Sequence, residues 1–195
     1  MNLWVKICGL TTEAGVEAAI EAGADAIGFV FAPSKRRVTA QRAAELARNA
    51  PGHITRVAVM LHPTQALLDD VWSVFRPDVL QTDFADLAAL AVPEEWTVMP
   101  VLRAGGELPL PLPRRLLFEG PSSGSGQTAD WQAAAALARQ SELVLAGGLN
   151  PDNVGAAIAA VVPFGVDVSS GVEREPGIKD AGRIRDFVRA ARAGN

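Results

Sequence analysis

A lysine and the only cysteine of the chain lie two residues apart in a short apolar run near the N-terminus. The run reads LWVKIC over residues 3–8 and has the pattern of a β-strand, in which alternate side chains point to opposite faces. A thiol can act as a base when nearby positive charge lowers its pKa and favours the thiolate. The spacing therefore predicts Cys8 as a candidate general base with Lys6 on the same face, although a lone cysteine is more often a small buried hydrophobic residue.

An aspartate occupies the equivalent place in the last apolar run. Residues 165–171 read GVDVSSG, and the same alternation places Asp167 on the face opposite to Val166 and Val168. A buried carboxylate and a buried ammonium each carry a large desolvation cost unless they meet. If the first and last strands are neighbours, Lys6 and Asp167 should come within about 6 Å of each other. The pair could serve a substrate site or only fix the strand register.

Glycine and serine residues follow the last two predicted strands. Gly147 and Gly148 come after the seventh strand, and Ser169, Ser170 and Gly171 end the eighth. Glycines expose backbone N–H groups, and the loops after strands seven and eight of parallel barrels frequently bind phosphate. We predict a phosphate site at these five residues; the alternative is that the glycines only permit tight turns.

A glutamate and a flexible composition follow the sixth predicted strand. Glu119 is a candidate acid, and it leads into GPSSGSGQT over residues 120–128. This segment lacks the Gly-Lys-Ser/Thr of a nucleotide-binding P-loop. We predict that Gly124, Ser125 and Gly126 belong to a lid that closes over substrate; a solvated linker would have the same composition.

A basic turn, Lys35-Arg36-Arg37, follows the second predicted strand. An arginine that faces inward can bind a substrate carboxylate through two parallel hydrogen bonds. We expect Lys35 and Arg37 to be solvated, but the pattern alone does not decide between Arg36 and Arg37 as the inward residue.

Short apolar runs alternate with amphipathic, alanine-rich stretches along the chain, as expected of repeated βα units. We predict strands at Leu3–Ile7, Ala26–Phe31, Arg56–Leu61, Val79–Gln81, Val98–Leu102, Leu116–Glu119, Leu143–Ala146 and Gly165–Val168. We predict helices at Thr12–Ala22, Ala40–Asn49, Thr64–Phe75, Ala85–Ala91, Trp131–Gln140, Asp152–Ala160 and Ala181–Ala193, with Thr12, Thr39, Asp130 and Asp152 near their starts. Eight units predict an α/β protein with a closed (β/α)8 TIM barrel, one small domain over residues 1–195.

The fifth unit departs from this pattern. Pro109, Pro111 and Pro113 stand at alternate positions after Gly105-Gly106, which excludes a regular helix. Helix five is therefore predicted to be missing or degenerate. The rival architecture is an open doubly wound sheet, but the first turn, Cys8-Gly9-Leu10-Thr11, is not its glycine-rich dinucleotide motif.

Composition argues against several functional classes. The formal net charge is −4 and basic residues are scattered, unlike the concentrated positive surface that nucleic-acid binding requires. One cysteine and two histidines offer neither a disulfide nor metal-ligand spacing. No signal peptide or long apolar segment is evident. We predict a cytoplasmic monomer or homodimer that acts on a small phosphorylated molecule, without a metal, a nucleic-acid partner or a membrane.

Several motifs in this order resemble those of the phosphoribosylanthranilate isomerase family. They are Lys6–Thr11 (KICGLT), Gly23–Phe31 (GADAIGFVF), Ser34–Arg36 (SKR), Leu145–Pro151 (LAGGLNP), Asp167–Glu173 (DVSSGVE) and Pro176–Asp180 (PGIKD). The resemblance extends over nearly the whole chain. It implies an enzyme of tryptophan biosynthesis that needs no cofactor and catalyses an Amadori rearrangement. In this reaction N-(5-phosphoribosyl)anthranilate becomes 1-(2-carboxyphenylamino)-1-deoxyribulose 5-phosphate.

The resemblance also implies roles for individual residues. Cys8 takes the place of the base that removes the C2′ proton, and Arg36 the place of the arginine that contacts the anthranilate. Asp167 takes the place of a supporting aspartate, and we place Lys6 with it among the substrate-binding residues. The general acid of the family is an aspartate after strand six, where this chain has Glu119.

Two departures from the family motifs keep other functions open. Besides Glu119, the chain reads Gln81-Thr82-Asp83-Phe84 where the family commonly has Gln-Leu-His-Gly. One alternative is another phosphate-binding barrel, such as an indole-glycerol-phosphate synthase or a pentose-phosphate epimerase. Another is a binding protein that has lost catalysis through the change from aspartate to glutamate.

Overall fold

The computed structural model describes residues 3–106, 108–120 and 130–194. Eight parallel strands close into a barrel in sequence order. Their bounds are β1 Trp4–Cys8, β2 Ala26–Val30, β3 Thr55–Val59, β4 Val79–Asp83, β5 Thr97–Arg103, β6 Arg115–Glu119, β7 Glu142–Leu145 and β8 Gly165–Val168. β1 pairs with β8, and Lys6 lies opposite Asp167 in the register. The predicted TIM barrel is confirmed, and the open sheet is excluded.

Helices cover the outside of the barrel. They are α1 Glu13–Glu21, α2 Ala40–Leu46, α3 Gln65–Val74, α4 Trp131–Ala138, α5 Val154–Val161 and α6 Ala181–Ala193, with 3₁₀ helices at Phe84–Ala89 and Ser170–Val172. Three predicted capping residues are confirmed: the side chains of Thr12, Thr39 and Asp130 accept hydrogen bonds from first-turn N–H groups. The prediction that a helix starts at Asp152 was wrong. α5 begins two residues later, where Asn150 and Asn153 exchange side-chain to backbone hydrogen bonds.

The connection between β5 and β6 has no helix in its described part, residues 104–106 and 108–114, as the three prolines predicted. An element that was not predicted follows β8. The chain forms an antiparallel hairpin of β9 (Glu173–Glu175) and β10 (Ile178–Lys179) before α6. This hairpin matters for the site because it presents Glu173 and Lys179.

Strand alternation divides the apolar residues into two layers. Val5 and Ile7 are fully buried in the larger layer, between barrel and helices. The barrel interior is filled by Ala26, Val57, Val79, Met99, Val101, Leu117, Val144 and Ala146. Inward positions at the C-terminal ends of the strands carry polar groups instead, so the interior layer forms the floor of a pocket. No described helix is long and apolar enough to cross a membrane.

Candidate active site

A cavity of about 230 Å³ opens at the C-terminal ends of the strands. The predicted site residues that line it are Cys8, Arg36, Glu119, Gly147, Gly148, Asp167, Ser169 and Ser170. The fold therefore brings together residues that lie up to 162 positions apart in the chain. Arg37 is exposed and does not line the cavity, which decides between the two arginines in favour of Arg36.

Lys6 lies beneath the cavity and does not line it. Its side chain is fully buried; Nζ lies 3.1 Å from Asp167 Oδ1 and donates a hydrogen bond of 2.8 Å to Gln81 Oε1. The predicted ion pair is confirmed. Burial disfavours the ammonium, but Asp167 and Cys8 outweigh burial and raise the pKa of Lys6. Lys6 therefore contacts Asp167 and Gln81 from below the cavity, and its place among the substrate-binding residues stays a prediction.

The thiol of Cys8 shares this buried environment. Burial raises the pKa of Cys8, and the lowering influence of Lys6 and Lys179 does not offset it. The net direction is opposite to the one expected from Lys6 alone. Burial therefore favours the protonated thiol at neutral pH, so the predicted role of Cys8 as a base requires that the thiolate forms first.

The hairpin of β9 and β10 holds Arg36 in place. Arg36 Nε and Nη2 donate hydrogen bonds of 2.7 and 2.9 Å to the two carboxylate oxygens of Glu173. Glu173 also accepts a bond of 2.8 Å from Lys179 Nζ. Burial opposes ionisation of Glu173, but Arg36 and Lys179 lower the pKa of this carboxyl below its usual value. The two motifs that contain Glu173 and Lys179 were noted in the sequence, but the function of these residues as a support for Arg36 was not predicted.

The loops after β7 and β8 contain the glycines and serines of the predicted phosphate site. Gly147 and Gly148 adopt φ angles of 87° and 64°, a region that L-residues with side chains rarely occupy. Ser169 is fixed by Lys179, whose Nζ donates to its carbonyl oxygen and its hydroxyl at 3.0 and 3.3 Å. Gly171 does not line the cavity, but it holds the two loops together. A Cβ on Gly171 would lie 2.0 Å from the carbonyl oxygen of Leu149.

We expect Gly171→Ala to lower the free energy of unfolding by about 1–3 kcal/mol, because the added methyl must push backbone apart. The Michaelis constant for a phosphorylated substrate should rise as the loops separate. The matched control is Gly155→Ala in α5, where a Cβ meets nothing within 4 Å. The control should be neutral or stabilising by up to about 1 kcal/mol. Denaturant unfolding measures both; equal stability of the two variants would contradict this packing.

Glu119, at the end of β6, forms part of a charged cluster. Arg103 Nη1 donates a 2.6 Å hydrogen bond to Glu119 Oε1, while Arg103 Nη2 and Nε donate to Asp83 at 2.6 and 3.1 Å. Arg103 was not predicted as a site residue. The signal was present, because Met99, Val101 and Arg103 alternate on one face and Arg103 ends the strand. The predicted lid residues Gly124, Ser125 and Gly126 lie outside the described residues.

Comparison with known proteins identifies relatives along the full barrel. A sequence model of the N-(5′-phosphoribosyl)anthranilate isomerase family matches residues 5–190. An N-(5′-phosphoribosyl)anthranilate isomerase of Streptococcus pneumoniae (strain Hungary19A-6) is 42% identical over 192 residues, 97% of this chain and 96% of the relative.

Two solved structures share the fold. One is a phosphoribosyl anthranilate isomerase in complex with reduced 1-(o-carboxyphenylamino)-1-deoxyribulose 5-phosphate. It has a TM-score of 0.79 and 31% identity, with 98% of this chain and 99% of that chain covered. The other is of monomers generated from the dimeric enzyme of Thermotoga maritima, with a TM-score of 0.83, 32% identity and the same coverage.

Proposed function

Since the chain belongs to the N-(5′-phosphoribosyl)anthranilate isomerase family, we propose that Cys8 and Glu119 carry out its isomerisation as general base and general acid. The observation that supports this proposal is that one cavity is lined by the thiol, the carboxyl and both glycine-containing loops. A base and an acid in a single pocket are what a proton-transfer isomerisation needs.

Binding uses the two ends of the substrate in this proposal. The phosphate is held by backbone N–H groups at Gly147 and Gly148 and by the Ser169-Ser170-Gly171 loop. The anthranilate carboxylate meets Arg36, which uses Nε and Nη2 for Glu173 and has further N–H donors without an acceptor among the described residues. Asp167 lines the cavity, and its Oδ1 pairs with Lys6 Nζ at 3.1 Å below it. The second oxygen of this carboxylate gives it acceptor capacity for a ribose hydroxyl.

The reaction then consists of two proton transfers. Glu119 gives a proton to the ribose ring oxygen as the bond from that oxygen to C1′ breaks, which leaves an open-chain iminium. The Cys8 thiolate removes the proton from C2′, and the electron pair of the C–H bond forms the enol-amine. Tautomerisation of this enol-amine to the ketone completes the rearrangement with no net change in atoms, and net transfer of a proton from Cys8 to Glu119 through solvent restores the enzyme. A metal or redox cofactor has no step to perform in this sequence.

A fluorescence assay separates catalysis from binding. With catalytic amounts of protein, the fluorescence of N-(5-phosphoribosyl)anthranilate should fall progressively until all of this substrate is consumed. A binding protein without catalysis would instead give a change that stops at one substrate per protein. The mass of the product should equal that of the substrate, because the reaction is an isomerisation. A stoichiometric plateau or a product of changed mass would reject the proposal.

A further inference from the structure

Three charged side chains on consecutive strands form one hydrogen-bonded cluster at the pocket. Asp83 ends β4, Arg103 ends β5 and Glu119 ends β6, and all three line the cavity. Arg103 uses Nε and Nη2 for Asp83 and Nη1 for Glu119. One guanidinium is therefore shared by two carboxylates.

The surroundings make these contacts stronger than those of a surface ion pair. The side chains of Asp83, Arg103 and Glu119 are 16%, 23% and 13% exposed. Arg103 lies directly opposite Glu119 in the register of β5 and β6, and each carboxylate contact is as short as 2.6 Å. Such partly desolvated, charge-assisted bonds hold a carboxylate at a defined point.

The sharing of Arg103 has a chemical consequence for an acid. A carboxylate alone with an arginine is held ionised, and an ionised carboxylate has no proton to give. A second carboxylate on the same guanidinium competes for the positive charge and favours retention of a proton by the pair. Both carboxylates occupy positions at which this chain departs from the family motifs, and Arg103 connects the two positions.

We propose that Asp83 and Arg103 are positioning residues for Glu119: Arg103 fixes the carboxyl in the pocket, and Asp83, acting through Arg103, keeps that carboxyl able to carry a proton. This inference rests on the proposed role of Glu119 as the acid. The rival role for the cluster is purely structural, a tie between the ends of β4, β5 and β6.

Other ionisable groups near Glu119 must be kept in view for a pH experiment. In the described part of the cavity they are Cys8 on β1, Arg36 after β2 and Asp167 on β8. The residues after β7 that line it, Ala146–Leu149, carry no charge. His62 stands at the same end of the barrel and is paired with Asp86, at 2.6 Å between Nδ1 and Oδ1.

The test is the dependence of kcat/KM on pH. The informative limb of this profile is the one that reports ionisation of Glu119, and it is identified because a Glu119→Gln variant lacks it. In Asp83→Asn, the second carboxylate no longer competes for the charge of Arg103, so Glu119 ionises more easily and this limb should move to lower pH by about one unit. In Arg103→Met, two carboxylates face each other without the cation, so the limb should move to higher pH. Turnover of Arg103→Met should also fall about tenfold, because the carboxyl loses its anchor.

Arg103→Lys is the milder variant, since it keeps the charge but not the two-sided contact. The Glu119 limb of this variant should stay near the pH at which it lies in the parent protein. Its turnover should lie between that of the parent and that of Arg103→Met. The matched control is Asp86→Asn, which neutralises a nearby aspartate that contacts Thr82 and His62 instead of Arg103. This control should leave the limb in place, and thermal unfolding confirms that each variant is folded.

Shifts in opposite directions for Asp83→Asn and Arg103→Met support the inference. The inference is overturned if the limb does not move in Asp83→Asn and Arg103→Met, or if Asp86→Asn shifts it equally. The cluster would then only connect the ends of β4, β5 and β6. A Glu119→Gln variant with normal turnover is a different result: it removes Glu119 from the acid role and so rejects the proposed mechanism itself.

Discussion

Replacement of Cys8 by serine should lower kcat by a factor of about 10²–10⁴ and leave the Michaelis constant nearly unchanged. The hydroxyl is close in volume to the thiol but is a far poorer proton acceptor near neutral pH. In the proposed binding mode the phosphate and carboxylate contacts lie elsewhere in the pocket, so binding should persist. Steady-state kinetics with the fluorescent substrate give both constants, and near-normal turnover of the variant would remove Cys8 from the mechanism.

The state of the thiol can be measured directly, because the chain has a single cysteine. The pKa of Cys8 is raised by burial, so alkylation by iodoacetamide should be slow at neutral pH. The alkylation rate should reach half its maximum above the ordinary thiol value of about 8.5. A half-maximum below that value would mean that Lys6 outweighs burial. A phosphorylated product analogue should protect the thiol, since Cys8 lines the pocket.

A raised thiol pKa bears on how the reaction begins. In the proposed mechanism Glu119 carries a proton and Cys8 is a thiolate, whereas burial favours the proton on sulfur. The thiolate must therefore form before Cys8 can act as the base. The Lys6 ammonium below the thiol lowers the pKa of Cys8 and so favours this thiolate. A fully buried lysine outside the cavity lining can assist the proposed reaction in this way.

The barrel and much of the pocket could be predicted from the sequence because strand alternation and chain order are local signals. Alternation placed Lys6, Cys8 and Asp167 inward, and closure of eight strands made β1 and β8 neighbours. The direction of the pKa of Cys8 could not be predicted in this way. This direction depends on the balance between burial of the thiol and its distance from Lys6. Strand alternation predicts which face the thiol lies on, but not how deeply it is buried.

Contacts between distant side chains were the other limit. Arg103 occupies no recognised motif, and its function arises only when Asp83 and Glu119 lie on both sides of it. Glu173 and Lys179 were part of recognised motifs, but their support of Arg36 depends on a short hairpin that the βα pattern does not contain. In both cases charged residues that are distant in the sequence meet at the C-terminal end of the barrel, and only the folded structure shows which of them pair.

Glu119→Gln should reduce kcat by about 10²–10⁴-fold as well, for a different reason. The amide keeps the length of the side chain and an oxygen for Arg103, but it cannot protonate the ring oxygen of the ribose. The Michaelis constant should change little, and the fold should remain intact by thermal unfolding. Unchanged turnover would transfer the acid role to another group.

Glu119→Asp is the control that separates proton chemistry from position. It keeps a carboxyl group and restores the residue type of the family, but the side chain is one methylene shorter and is withdrawn from Arg103. If the proton is what matters, turnover should exceed that of Glu119→Gln by at least about tenfold. If Glu119→Asp is as inactive as Glu119→Gln, the contact with Arg103 is required as much as the proton. Glu119 and Arg103 would then have to be treated as one catalytic unit.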